Sequence, residues 1–600
     1  MLSAVRFAPR ALSVRSACCS RAEPRGVPNS PSRPQSFWRG IAAAAAAGIA
    51  VSAVATCESV VVGNTDDFED GEMYEVKVRG EQEKILLTRL KGEFYATSPN
   101  CSHAKRELAT GVANGFEVVC PWHDAAFDLR TGQPTRGPAL KALETYPVTV
   151  KDGKVSVALP RTLEKFKDAP MAKRDPKNTQ TFAIIGGGAA AMGACETLRQ
   201  EGFTGRIVLI TNEPHLPYER TVLTKNILKT ADELLMRPAE FYQKNDIEVM
   251  LNTTVSNLDS MTKEVTFAGG AKPMKFDKVL VATGSSPKKL PVAGYKIGNI
   301  FTVRTPDDTQ KILAARRGNK LNRAPHVVVA GSSFVGMEMA STLARDGCEV
   351  TVLGQETVPL ERVLGRKVGA AFANLLRANN VRFLGRTKVT QFIGDEVVTG
   401  VETSEGEVLP ADMVIVGVGV IPNTDFVTNT PLASDLSMEC TPLLNSPANP
   451  DVYAAGDVCS FPCLYNGGDL TRIEHWDVAV QQGRIAAKNM LNKYEPYTTV
   501  PFFWTGIHGK ALRYVGVTKD FDQVLVEGEL AKWEFIAYYC KGDNVVAVAT
   551  MGRDPLAAAC VELMKMGQLP KTSEILMGTV NGDTMMQKLK DAQKAKAKKA

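Results

Sequence analysis

The feature that most constrains this chain is a pattern that occurs twice: an apolar strand, a glycine-rich turn, then a helix. TFAIIGGGAAAMGACETLRQEG, from Thr181, carries G-x-G-x-x-A at Gly186, Gly188 and Ala191. HVVVAGSSFVGMEMASTLARDGCEVTVLG, from His326, keeps Gly331 and Gly336 and has Ser333 at the middle glycine position. Such glycines let the backbone approach a pyrophosphate at a helix N-terminus, and a small last residue lets the helix pack closely on its strand. After the next strand of the first unit, RIVLIT, Glu213 is placed to accept the hydroxyls of an adenosine ribose. The corresponding strand of the second unit runs into Gly354-Gln355, with Glu356 two positions later, which leaves NADH and NADPH both open. Two such units imply two dinucleotides, read here as FAD and NAD(P).

At 600 residues the chain is too long for one core, and roughly three to five domains are expected. Residues 1–57 hold seven arginines against one acid, Glu23, and so account for the whole net charge of +6. This Arg-, Ser- and Ala-rich stretch reads as a mitochondrial transit peptide. Behind it, IAAAAAAGIAVSAVAT (41–56) is shorter than the ~20 residues that normally span a bilayer. It leaves open an inner-membrane anchor facing the intermembrane space or a helical part of the leader. The rest of the chain is charge-balanced, so no global field recommends nucleic acid as a partner, and the Lys-rich end (QKLKDAQKAKAKKA) reads as a solvated helix or frayed tail.

Residues 58–160 contain YEVKV, KILLTRL, EFYAT and FEVVC between Gly-containing turns, which predicts a small all-β domain. Its turns carry Cys101-Ser102-His103 and Cys120-Pro121-Trp122-His123. Two loops of one Cys and one His each suit a [2Fe–2S] cluster with two thiolates on one iron and two neutral imidazoles on the other. The alternative is a structural Cys2His2 zinc site, although zinc usually pairs Cys with Cys and His with His at close spacing. With FDLRTGQP (127–134) following, the segment resembles the ferredoxin-like and oxygenase-type Rieske family. Asp124 stands where those members usually have Gly. Neither loop has a further Cys, so the resemblance implies no disulfide between them and a potential in the lower part of the Rieske range. Residues 161–180, charged and with two prolines, read as a linker.

Further along, Val281-Ala282-Thr283-Gly284, VYAAGDV (452–458), PYERTVLTK (217–225), EHWDVAVQQGRIAAKNM (474–490) and VPFFWT (500–505) resemble the ferredoxin-reductase branch of flavoproteins. Joined to a Rieske domain they most resemble the apoptosis-inducing factor family. The resemblance implies a multidomain chain: a Rieske domain (58–160), an α/β fold with two dinucleotide domains of the ferredoxin-reductase and glutathione-reductase kind, and an α+β C-terminal domain. Its parts are an FAD domain in two pieces (181–305 and 431–497), an NAD(P) domain (306–430), a C-terminal domain (498–590) and a Lys-rich tail (591–600).

Carried onto matching residues, the resemblance places Arg220, Lys225, Val255, Arg304, Asp457, His475 and Trp476 around the flavin, with Asp457 on its ribityl chain. Phe334, Glu338, Gly419, Glu474 and Trp504 fall on the nicotinamide side. Lys225, Glu338 and Phe334 are the candidate catalytic residues, the first two as a charge pair near the flavin's reactive edge, the third stacking on the nicotinamide. The absence of C-x4-C after the first glycine-rich helix, and of C-x2-C in the nucleotide domain, argues against disulfide reduction. Cys195 and Cys348 read as helical core residues, and Cys459 and Cys463 as a loop pair. Electrons are thus expected to pass from NAD(P)H through FAD to the cluster and on to an unidentified one-electron acceptor, protein or small molecule. The competing expectation is an NADH-sensing mitochondrial signalling, apoptosis or assembly factor with incidental turnover. A homodimer is left open.

Overall fold

Phe182 to Ile185 form an unbroken apolar run, as a strand buried on both faces requires. In the computed structural model, which describes residues 57–318, 323–517 and 520–599 with side chains through 593, that run is the centre of a parallel sheet. Its order is Ile247–Met250, Arg206–Ile210, Thr181–Ile185, Lys278–Val281, Val452–Ala454. The turn after the central strand holds Gly186 at φ 128°, where a Cβ would lie 2.1 Å from the Ala282 carbonyl oxygen. Helix Ala189–Gln200 packs on helix Trp476–Met490 so closely that a Cβ on Gly483 would fall 2.1 Å from the Ala190 carbonyl oxygen.

The second unit repeats this plan in a parallel sheet of Ile300–Phe301, Met413–Val416, His326–Ala330, Glu349–Leu353 and Arg382–Leu384. A Cβ on Gly336 of helix Phe334–Arg345 would lie 2.0 Å from the Gly331 carbonyl oxygen, so helix and turn touch backbone to backbone. Two short strands cross the boundaries drawn from sequence. Ile300–Phe301 joins the second sheet, and Val427–Thr428 pairs with Val255–Asp259 of the FAD domain.

The sheets of residues 58–160 are all antiparallel, with short 3-10 turns at Thr65–Asp67 and Leu108–Thr110. Three of the expected segments become strands Met73–Arg79, Glu83–Leu90 and Glu93–Thr97. FEVVC contributes Glu117–Val119 to a four-stranded sheet with Val112–Asn114, Ala126–Asp128 and Pro134–Arg136. The segment expected to be a linker is held on both sides. Phe166–Lys167 pairs with Ala142–Leu143 of the β domain, while Ala172 N–H donates to the Arg199 carbonyl and Asp175 N–H to that of Thr204, both at 2.8 Å.

The C-terminal domain is a five-stranded antiparallel sheet, Phe502–Ile507, Lys510–Gly516, Asn544–Met551, Glu534–Lys541, Gln523–Glu529, backed by helices. The last helix, Gly582–Lys599, runs through the boundary drawn at residue 590 and lies against the β domain: Lys590 pairs with Glu72, and Gln593 donates to the Ala113 carbonyl at 3.0 Å. Cys195 is a buried helical residue as expected, but Cys348 sits in the turn after its helix, and Cys459 begins a buried strand rather than a loop. Among the described residues no helix is long and apolar enough to cross a membrane. The stretch expected to be a transit peptide and residues 41–56 lie outside the described residues.

Candidate functional site

A cavity of about 550 Å³ runs from the first glycine-rich turn to the C-terminal sheet. Gly186 and Gly188 floor one end, and a Cβ on Gly188 would meet nothing within 4 Å, which leaves the helix N-terminus open to a phosphate. Ala191 is fully buried beneath this lining and packs the helix against its sheet. Glu213, at the end of the second strand, accepts from Tyr218 Oη at 2.6 Å and pairs with Arg220. Midway, Asp457 accepts from Ser285 Oγ at 2.6 Å and lies 3.6 Å from the Arg304 guanidinium. Val255, Glu474, His475 and Trp476 complete the walls. Burial pulls His475 down to about 4, so its ring is neutral, and its buried Nδ1 has no hydrogen-bond partner within the protein. A bare helix N-terminus, an acid just past the second strand and an unpartnered buried imidazole lining one cavity fit FAD.

At the other end Lys225 Nζ lies 2.9 Å from Glu338 Oε2 and donates to the Thr221 carbonyl at 2.8 Å. Glu338 is buried, and its carboxylate also accepts from Thr505 Oγ1 at 2.6 Å and from Thr224. Phe334 packs edge-on against Phe503, with ring centroids 4.9 Å apart. Gly331, Gly336 and Gly419 are not among the residues lining this cavity and belong to the second nucleotide unit. There Gly419 takes φ 101° and its carbonyl accepts from Lys288 N–H at 2.9 Å.

The two Cys/His loops meet each other directly. Loop 101–106 is closed by Cys101 N–H donating to the Arg106 carbonyl at 2.7 Å, and the second loop by Cys120 N–H donating to that of Ala125 at 2.8 Å. The buried thiols of Cys101 and Cys120 touch, which draws Cys101 down to about 7 and pushes Cys120 up. His103 Nδ1 and His123 Nδ1 lie 3.1 Å apart. Burial, then the charge of His103, hold His123 well below its ordinary value, favouring the neutral form that ligation needs. Among the described residues no three His, Cys, Asp or Glu side chains gather to hold one metal ion. Instead the four form a thiol pair and an imidazole pair, the donor set of a Rieske cluster rather than a tetrahedral zinc site.

Asp124 adopts φ 59°, which accounts for glycine being usual there, and its buried carboxylate accepts from Arg136 at 2.6 and 3.0 Å. Arg136 also donates to Glu562 of the C-terminal domain at 2.6 Å. Beside this contact Gln481 donates to the Gly137 carbonyl at 2.9 Å and Arg484 to that of Ala139 at 2.6 Å. The β domain is therefore seated on the flavoprotein with its histidines toward the cavity.

Residues 180–483 match the pyridine nucleotide-disulphide oxidoreductase family, 58–147 the Rieske [2Fe–2S] domain and 502–580 the reductase C-terminal domain. Apoptosis-inducing factor 3 of Homo sapiens is 36% identical over 538 residues, 88% of this chain and 87% of that protein. The chain belongs to the Rieske-bearing apoptosis-inducing factor family. Within the wider group, rubredoxin-NAD(+) reductase of Pseudomonas putida is 32% identical over 62% of this chain and 95% of its own. The covalent putidaredoxin reductase–putidaredoxin complex superposes with a TM-score of 0.64 at 28% identity, covering 70% of this chain and all of that one. The ferredoxin reductase of the CYP199A2 system of Rhodopseudomonas palustris gives 0.62 at 28% identity, covering 66% and 97%.

One cavity residue of this family member also touches the β domain. Trp504, assigned to the nicotinamide side, lines the cavity but sets its ring 4.3 Å from His123 and 6.0 Å from His103. Thr224 and Thr505, which hold Glu338, and Phe503 escaped the sequence analysis although all three lie inside quoted motifs. Nothing in their spacing shows which partner the fold will bring.

Proposed function

We propose that the chain is an NAD(P)H-dependent flavoprotein oxidoreductase that passes electrons from nicotinamide through FAD to its own Rieske [2Fe–2S] cluster and on to a one-electron acceptor. The observation that carries this reading is Trp504, one face of which borders the cavity while its ring packs against His123. FAD, when bound, supplies the conversion between a two-electron hydride donor and one-electron transfer. The protein's part is to hold and shield. Gly186, Gly188 and the helix behind them receive the pyrophosphate, Glu213 the ribose and Asp457 the ribityl chain. Arg220, Arg304, His475 and Trp476 close the walls. Phe334 covers the hydride-accepting end against water, and the Lys225–Glu338 pair fixes charge there. Cys101, Cys120, His103 and His123 hold the cluster. In the second unit the turn at Gly331, held tightly against its helix at Gly336, receives the nicotinamide dinucleotide.

The Arg-rich leader supports a mitochondrial location, and the putidaredoxin complex supports a small iron–sulfur or similar electron-carrier protein as the class of final acceptor. Anaerobic mixing of the full chain with NADH or NADPH tests the central reading. Flavin absorbance should bleach first and the Rieske resonance appear afterwards, at a rate independent of protein concentration. A cluster that stays oxidised while the flavin is reduced overturns it.

A further inference from the structure

With the two Nδ1 atoms of the imidazole pair facing each other, His103 turns its other ring nitrogen away from the cluster side. That nitrogen, Nε2, lies 3.6 Å from Oε1 of Glu219, a residue of the flavin-binding domain and not of the β domain. Glu219 is firmly placed. Its N–H donates to the Leu234 carbonyl at 2.9 Å, and its Oε1 accepts from Thr221 Oγ1 at 2.7 Å. Both Thr221 and its neighbour Arg220 line the cavity. The side chains in the pair are largely covered, 14% exposed for His103 and 33% for Glu219.

A histidine that ligates a metal usually directs its free N–H at a carboxylate or carbonyl, which fixes the ring's orientation and makes the ligand more electron-rich. The carboxylate beside His103 is not supplied by the β domain that owns the ligand. It comes from across the domain boundary, on the loop that also walls the flavin cavity. We propose that Glu219 is a positioning residue for the cluster: it orients the His103 ring from the flavoprotein side, and its charge lowers the cluster's potential in the seated arrangement. The proposal rests on the Rieske assignment. It makes part of the cluster's electrostatic environment a property of docking, because the same β domain lifted from its seat would lose the carboxylate. Lys225, anchored to the Thr221 carbonyl and to Glu338, is a nearby opposing charge, and Arg513 and Arg106 also bear on His123. Removing Glu219 leaves those cations less balanced near the histidines, which acts in the same direction.

The test is a dithionite titration of the holoprotein with redox mediators at one pH, followed by the Rieske resonance, so that it reads the cluster whether or not nicotinamide electrons reach it. Glu219→Gln is nearly isosteric and keeps an acceptor for the Nε2 proton, whereas Glu219→Ala keeps neither charge nor acceptor. Both variants should shift the midpoint potential upward, and the Ala variant alone should also change the anisotropy of the resonance, with Gln restoring the wild-type line shape. Iron content and flavin absorbance establish that each variant is folded and loaded, and Glu219→Asp, which retains the charge, should stay closer to wild type in potential than either. Loaded variants with an unchanged potential overturn the role of Glu219 while leaving the cluster in place. A wild-type protein with no Rieske resonance would instead remove the assignment beneath it.

Discussion

The indole of Trp504 lies 4.3 Å from the imidazole of His123, tilted by 46°, and also borders the cavity that the flavin-binding motifs enclose. A single side chain thus touches both the cavity and one of the paired histidines. Ring-to-ring packing at this distance favours electronic coupling, which falls steeply across wider gaps.

Trp504→Phe should therefore keep most of the rate at which electrons reach the cluster, and Trp504→Ala should slow it. Stopped-flow absorbance resolves the flavin step from the cluster step in the same trace. The hypothesis fails if both variants reduce the cluster as fast as the wild type.

Glu338 gathers Lys225, Thr224 and Thr505 around one buried carboxylate. Glu338→Gln removes the charge that holds Lys225, and charge-assisted hydrogen bonds of this kind are each worth about 1.5–3 kcal/mol. The expected outcome is a slower reduction of flavin by nicotinamide and a lowered melting temperature, with the Rieske resonance unaltered, because Glu338 touches neither ligand loop. Single-turnover kinetics and the resonance can be recorded on one preparation.

What the sequence made legible was local. The glycine turns at Gly186 and Gly331 and the two Cys/His loops announce themselves by residue type at short fixed spacing, although the backbones that the glycines let approach, at Ala282 and Gly417, are distant in sequence. Asp124 could be recognised as a departure from glycine, but its reason could not. Its backbone needs a left-handed residue and its carboxylate needs Arg136, which in turn needs Glu562 from a distant part of the chain. That the Trp504 ring also meets a histidine of another domain could not be read for the same reason. The segment 161–180 has a linker's composition, yet pairs as a strand at Phe166–Lys167 because the β domain leaves an edge at Ala142–Leu143 for it.

The ionic seat of the β domain gives a sharper expectation. Asp124, Arg136 and Glu562 are all buried, and removing one member of such a group costs about 3–5 kcal/mol because the others are left uncompensated. Glu562→Ala should lower the melting temperature and speed amide exchange in strand Pro134–Arg136. Adding Arg136→Met and Asp124→Asn together in the same chain should recover much of the stability, because the whole group is then neutral and no buried charge is left without its partner. Hydrogen exchange followed by mass spectrometry reads the effect at the interface directly. Equal exchange in Glu562→Ala and wild type would mean that the network is not what seats the domain.

Asp477 gives the same interface a pH dependence. Its side chain is completely buried in the first turn of helix Trp476–Met490. Burial, and next the charge of Asp124, push its carboxyl up to about 7 against the weaker opposing effects of Gln481, Arg484 and Arg136. Oδ1 accepts from Gln481 Nε2 at 3.4 Å, while Oδ2 has no hydrogen-bond partner within the protein. A carboxyl with a folded value of about 7 and an unfolded value near ~3.9 binds its proton more tightly in the folded state. The stability it contributes is therefore complete below the unfolded value and is lost progressively as the pH rises toward the folded one. Asp477→Asn keeps the shape and removes the titration. The variant's melting temperature should exceed that of the wild type at pH 8, and the difference should shrink as the pH falls toward 4. Scanning calorimetry of both proteins across that range decides it, and a pH-independent difference would show that Asp477 is not the titrating group.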